Sequence, residues 1–376
     1  MERNTEIDGI RGWAALLVVM FHLFQEIFGR VFPFLHGTGF GFVFDGHLMV
    51  LIFFVLSGDA LSISFFRENK IASTVRLAIA RYFRLTFPII VTCTAVYILM
   101  SFSLTYNIQA APFVGRQDWL GSFINFQPSI VGLINYSFAD VFFNHKVENS
   151  YNPFLWTMSI ELLGSIIVFL NIFLFNHLKN PVVVLFTQFA FFFIFSPYYS
   201  LFIFGMLLGY ARSIGYLNRL KELKWNVLFG LAFFLIIVFI SVFREGNVMF
   251  LGHTFTRLIQ TERLHMLWAM LLVFLVYTSP SLLNLFRSKL SVFLGEISFP
   301  IYVVQFIVIV SFTSYGIVRL QGSNLINTGF SLLLAGTSLV MCIVLAYFFR
   351  GIERKILKAI NELISKKVLK LAGSET

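Results

Sequence analysis

Long apolar runs recur along the chain, at 89–104, 181–195, 226–243, 264–278, 299–312 and 328–349. A stretch of about 18 apolar residues is long enough to span a bilayer as a helix, and the shorter runs reach that length once their flanks are added. The pattern predicts ten helices, near 11–29, 47–66, 85–105, 153–175, 181–196, 198–211, 225–243, 263–279, 291–313 and 327–349. Between 181 and 211 the only break is Ser196-Pro197, which leaves open two helices or one re-entrant pair. The expected fold is all-α: a polytopic transmembrane helical bundle. No repeat and no Pro/Gly/Ser-rich linker divides the chain. One domain is therefore expected over 1–350, with 351–376 as a tail.

Composition agrees with the pattern. Hydrophobic residues make up 58% of the chain, Phe alone supplies 49 positions and only 12% are charged. Soluble domains keep about a quarter of their residues charged, so a soluble fold is excluded. The N-terminal apolar stretch contains His22, Gln25 and Glu26 and is followed by no small-residue cleavage site, so it reads as a first spanning helix rather than a signal peptide. Cys93 and Cys342 both sit inside apolar runs and read as small hydrophobes, not as a disulfide.

The net charge of +10 suggests a basic ligand-binding face until the charges are placed. With the N-terminus inside, the inner segments hold Lys and Arg in roughly threefold excess over the outer ones, the bias that sets membrane orientation. Both termini are then expected in the cytoplasm, and the positive charge needs no nucleic acid. The tail from Arg350 to Leu371 carries apolar residues at 352, 356, 360, 363 and 364 among lysines. Helical spacing with a basic face suits the anionic inner leaflet, so membrane lipids are expected partners.

Polar residues inside the spans carry the chemistry. Ionisable groups at mid-membrane usually face an internal cavity. Arg11 and His22 are eleven residues apart, about 20° off one helical face and roughly 16 Å along the axis. Ser57 and Asp59 fall near the middle of the second helix, Glu161 in the fourth and Gln305 in the ninth. Hydrogen bonding between helices accounts for Ser57 and Gln305 without any reaction, but accounts poorly for two carboxylates. Arg76, Arg81 and Arg84 precede the expected third helix. Arg81 and Arg84 lie one turn apart, which suits a phosphate-bearing ligand and equally suits inside-positive topology alone. Gly205-Met-Leu-Leu-Gly209 is a small-residue helix-packing motif. The glycine-rich stretch 37–41 falls outside, so it is not expected to cradle a nucleotide.

These residues resemble the membrane acyltransferase-3 family. Residues 6–22 (EIDGIRGWAALLVVMFH) look like its opening signature, in which an arginine is followed by ten residues and a histidine. FFVLSG at 53–58 is similar to the second motif, RYFRL at 81–85 with Pro88 to the arginine motif, WTMSIE at 156–161 to the Trp…Glu element and LGEISFPIY at 294–302 to the last motif. Leu51 stands where many members have Asp, Asp59 replaces the usual aromatic after Ser-Gly, and Gln305 stands where the last motif commonly has His.

The resemblance implies transfer of an acyl group, typically acetyl, from cytoplasmic acyl-CoA to a hydroxyl of an extracytoplasmic carbohydrate or glycolipid acceptor. It implies a multi-pass protein of a bacterial inner (plasma) membrane. By carry-over, His22 would be catalytic and Arg11, Arg81 and Arg84 would hold the donor. Glu161 or Asp59 would orient His22 as its acid partner, and Ser57, Trp156 and Gln305 are the candidate substrate-binding residues. No metal is called for. The loop 106–152, with Asp118, Trp119, Asp140, His145 and Glu148, is placed to select the acceptor. Two other classes remain: a proton-coupled exporter of a polysaccharide precursor, since midplane carboxylates suit proton relays, and an inactive scaffold of a polysaccharide-synthesis complex.

Overall fold

A computed structural model describes residues 5–36, 41, 43–69, 71–222, 226–243 and 262–372. The chain is 84% helical and no strand occurs among the described residues. The helices are α1 (Thr5–Met20), α2 (Gly46–Glu68), α3 (Ile71–Ser101), α4 (Thr157–Phe175), α5 (Pro181–Phe195), α6 (Pro197–Ser213), α7 (Asn226–Phe243), α8 (Glu262–Thr278), α9 (Lys289–Glu296), α10 (Ser298–Val308), α11 (Ser314–Gly322) and α12 (Gly329–Ala372). Six helical segments among the described residues are long and apolar enough to cross a membrane, or eight if two bent helix pairs each count as one span. Each of the ten expected helices is found. The 181–211 stretch is two helices broken at Ser196.

Three boundaries differ from expectation. The third helix starts at Ile71 rather than near 85, so Arg76, Arg81 and Arg84 lie on α3 and do not precede it. From 71 to 87 there is neither Gly nor Pro, and helix-favouring Ala, Leu and Arg extend the helix beyond its apolar stretch. The expected 291–313 helix is broken at Ile297 into α9 and α10. Pro300 lacks the N–H that a continuous helix would aim at the carbonyl of Glu296, so it fits without that loss in the first turn of α10. The last helix runs on without interruption through residue 350 to Ala372. The glycine-rich 37–40, the side chains of 363 and 364, and Arg244 and Arg257, two of the basic residues counted with the outer segments, lie outside the described residues.

The 106–152 connection is a string of short helical turns, tied together by side chains. Asn107 Nδ2 donates to the carbonyls of Leu120 (3.1 Å) and Phe123 (2.8 Å), and Tyr151 Oη donates to Ser129 O at 2.9 Å. Arg116 anchors this cap to the C-terminal end of the first span, where its Nη2 meets Glu26 Oε2 at 2.7 Å.

α2 occupies the centre, 83% of its best apolar window being buried, and packs most extensively on α6. Lipid tails are as apolar as leucine, so helices in a bilayer associate through close van der Waals contact, and small residues permit it. A methyl group on Gly205 would run into the Val55 carbonyl, and one on Gly58 into Phe202 O. Gly205→Leu is therefore expected to cost about 1–3 kcal/mol of stability or more, read as a lower unfolding temperature in detergent. Gly336→Leu on α12, with nothing within 4 Å of its Cβ position, serves as the neutral control.

Candidate active site

Residue 57 and residue 59 are two positions apart on α2, about 200° around a helix, so they face opposite ways. Each enters a different polar network.

Ser57 belongs to the first. Its Oγ donates to Glu161 Oε1 at 2.7 Å and accepts from Arg11 Nη2 at 3.2 Å. Arg81 Nη2 pairs with the same Glu161 oxygen, and its Nε donates to Ser165 Oγ at 2.9 Å. The network joins α1, α2, α3 and α4 along one cavity of about 210 Å³. Arg11, Ser57, Arg81, Arg84, Glu161 and Tyr302 line it, and Glu353 and Leu357 of α12 close one side. Arg81 is committed to Glu161. Arg84 makes no hydrogen bond among the described residues, and Arg11 Nε is buried without a partner. The donor capacity facing this cavity therefore belongs to Arg84 and Arg11.

Asp59 belongs to the second network. Arg212 Nη1 on α6 pairs with Asp59 Oδ2, and Tyr277 Oη on α8 donates to the same oxygen at 2.6 Å. Arg212 also lies over the Tyr277 ring, 4.9 Å from its centre, and its Nη2 reaches Glu6 Oε1 at 3.2 Å. Asp59 is fully buried there and does not line the cavity.

His22 lies apart from both networks. The first span changes from α-helix to a π-helical turn over Phe21–Ile27, a distortion that concentrates at functional sites. His22 is carried on that turn. Its Nδ1 lies 3.0 Å from Gln305 Oε1, and Gln305 Nε2 donates to Tyr302 O at 3.0 Å. Because the amide nitrogen is used on a carbonyl, Oε1 has to accept, and the proton belongs on His22 Nδ1. Nε2 keeps its lone pair and has no hydrogen-bond partner among the described residues. The imidazole stacks on Phe154, with centroids 4.1 Å apart and planes at 19°, and Trp119 stands 5.8 Å away. The expected contact of His22 with Glu161 or Asp59 is absent. Both carboxylates are held by guanidiniums, and an amide orients the histidine instead.

A short partition separates the two compartments. Tyr302, on the cavity wall, shares a 2.8 Å bond with Thr157 Oγ1 and donates to the carbonyl of Phe154, the residue stacked on His22. Gln305 is one turn further along α10. Asn152 shapes this corner: its side chain accepts from Phe154 N at 3.2 Å and donates to Val303 O at 3.2 Å, and Pro153 then starts the turn into α4.

Of the other candidates, Trp156 packs edge-on against Tyr198 and does not line the cavity. Within the 106–152 cap, only Trp119 reaches His22. Asp118 pairs with Arg30 and Arg116, His145 meets Tyr136 Oη at 3.3 Å, and Asp140 and Glu148 line neither compartment. Sequence reasoning gave no role to Tyr302, Phe154 or Glu353. Tyr302 stands inside a recognisable motif, one turn before Gln305. Phe154 and Glu353 carry no comparable signal.

A family model described as an acyltransferase domain matches residues 4–348, nearly the whole chain. Neither a curated protein nor a solved structure matches it.

Asp59 is positioned to stabilise the fold. Removing one partner of a buried ion pair leaves the other uncompensated and typically costs about 3–5 kcal/mol. Asp59→Ala is expected to lower the unfolding temperature sharply, and Asp59→Leu/Arg212→Met to restore much of the loss. Equal stability of Asp59→Ala and the parent protein in a thermal melt would remove this role.

Proposed function

This chain belongs to the acyltransferase family whose domain it matches, and we propose that it is an integral membrane O-acyltransferase. It takes an acyl group, typically acetyl, from acyl-CoA on the cytoplasmic side and delivers it to a hydroxyl of an extracytoplasmic glycan or lipid-linked sugar. Both termini face the cytoplasm, and the membrane is the bacterial inner membrane. The observation that carries this reading is His22: a histidine with Nδ1 bound to Gln305, Nε2 unengaged, and a cationic cavity behind the Tyr302 partition.

The residues divide the work. Arg84, with Arg11, binds the donor phosphates at the cytoplasmic mouth, while Arg81 and Glu161 hold the wall of the cavity in shape. The pantetheine arm runs toward His22, and the roughly 16 Å between residues 11 and 22 along the first span is comparable to its reach. His22 Nε2 accepts the proton of the acceptor hydroxyl as its oxygen attacks the thioester carbonyl. Collapse of the tetrahedral adduct breaks the carbon–sulfur bond, and the imidazolium returns the proton to the departing thiolate. Gln305 is a positioning residue: its Oε1 fixes the tautomer that leaves Nε2 basic. Phe154 and Trp119 keep the reaction away from bulk water. The pairing of Asp59 and Glu161 with arginines gives both carboxylates a structural role and favours acyl transfer over the proton-relay reading.

Purified protein is incubated with labelled acetyl-CoA, scoring hydrolysis and transfer. His22→Ala is expected to reduce turnover by about 10²–10⁴, the usual worth of a general base, with donor binding intact. Arg84→Ala is expected to raise the donor KM roughly tenfold or more with a smaller effect on kcat, as loss of a charge-assisted phosphate contact does. Gln305→Leu should lower kcat without changing KM, and Gln305→Asn should recover part of it. Full turnover by a well-folded His22→Ala protein would overturn the mechanism.

A further inference from the structure

We propose that the protein carries a specific site for one anionic phospholipid, distinct from the acyl-transfer compartments, between α1, α2, α7 and α8. A second cavity of about 310 Å³ lies there, lined by Ile10, Ala14 and Leu17 of α1, Phe233 and Ile237 of α7 and Val276 of α8, among other apolar side chains. It shares no lining residue with the Arg84 cavity. α7 packs chiefly on α8 and on the short helix Pro280–Phe286, and stands off from α1. The gap is what that spacing leaves.

Its chemistry selects hydrocarbon. Trp13, the wall residue with an indole N–H, spends it on Ser291 Oγ at 3.0 Å, turning only its ring to the cavity. Water needs two to four polar partners to enter a cavity, and this lining offers none. An empty void would forfeit dispersion contacts on every wall. An acyl chain of the surrounding bilayer supplies them, and Leu285 on the rim is 53% exposed, opening a route from the lipid side.

One end of the cavity selects the headgroup. Ile10 is one helical turn from Glu6, and Phe286 is followed directly by Arg287, whose Nε reaches Glu6 Oε2 at 3.3 Å. Glu6 is shared with Arg212, which also holds Asp59. Arg287 is 48% exposed and Lys289 is exposed two residues on, with Lys221 within electrostatic range of Arg287. A phosphodiester at this rim would meet cations while its acyl chain enters the gap. A second negative charge on the headgroup is not needed; the preference is for net-anionic over zwitterionic lipid.

The test is native mass spectrometry of the delipidated, detergent-purified full chain, titrated with phosphatidylglycerol and with phosphatidylcholine of identical acyl chains. The wild type is expected to retain one phosphatidylglycerol, in preference to phosphatidylcholine by about tenfold, as one or two lysine or arginine contacts to an anionic lipid provide. Arg287→Gln/Lys289→Gln should bind both lipids about equally. Ala14→Phe, which fills the gap, should bind neither tightly. Competition between the two lipids on the wild type alone decides the headgroup claim should Ala14→Phe fail to fold. Equal retention of both lipids by the wild type, no retained lipid, or a retained lipid-linked sugar in its place would each overturn the proposal.

Discussion

A charge carried into hydrocarbon has to find its opposite, and α2 meets that requirement on two faces at once. On one face Ser57 bridges Arg11 and the Glu161–Arg81 pair. On the other, Asp59 holds Arg212, with Tyr277 and Glu6 completing the set. The two networks tie α2 to α1, α3, α4, α6 and α8. Ion pairs desolvated in this way add little net stability over apolar packing, but breaking one is costly. They therefore act mainly to fix which helices are neighbours and in what register. The backbone contacts at Gly58 and Gly205 then bring α6 close enough for Arg212 to reach Asp59.

Once both carboxylates are committed, His22 has to be oriented by something else, and Gln305 takes that position. An amide can accept from Nδ1 and donate elsewhere, whereas a carboxylate only accepts. The second contact, to Tyr302 O, ties the histidine's orientation to the tyrosine on the wall of the arginine-lined cavity. Phe154 closes the link from the other direction, since it stacks on His22 and accepts from Tyr302. Movement of Tyr302 would therefore be felt at the imidazole through two routes. That coupling gives a physical reason for Tyr302 and Gln305 to stand one turn apart.

The fold class, the helices and the packing role of Gly205 and Gly209 were all legible, because hydropathy runs and small-residue spacing are local properties. The members of the Arg11, Ser57, Arg81 and Glu161 grouping were legible separately, Ser57 and Glu161 as residues at the depth of His22 and Arg11 and Arg81 as cations expected at the inner face. The wiring between them was not. Depth alone put Asp59 with His22, but two positions along a helix turn a side chain to the opposite face, and only the partner helices decide which face is the cavity. Arg212 sat at the end of a span and read as a topology signal, so its claim on Asp59 was invisible. The π-helical turn at Phe21–Ile27 has no compositional mark. His22 is carried on it, whereas the 20° alignment with Arg11 assumes an α-helix throughout.

Helices of this bundle divide by how they are held. α1, α2, α4 and α6 meet through glycines or buried ion pairs, contacts that lipid cannot imitate. α7 carries no charged residue among its eighteen, and its contacts to α8 are ones a hydrocarbon chain makes equally well. Without a hydrophobic driving force between spans, nothing pulls such a helix tight against α1. The gap at Ala14 and Val276 is thus a consequence of which helices received polar anchors. Filling it by enlarging those side chains would lock α7 in place. Leaving it open keeps that side of α1, the helix that carries Arg11 and leads into the π-helical turn of His22, in contact with the bilayer.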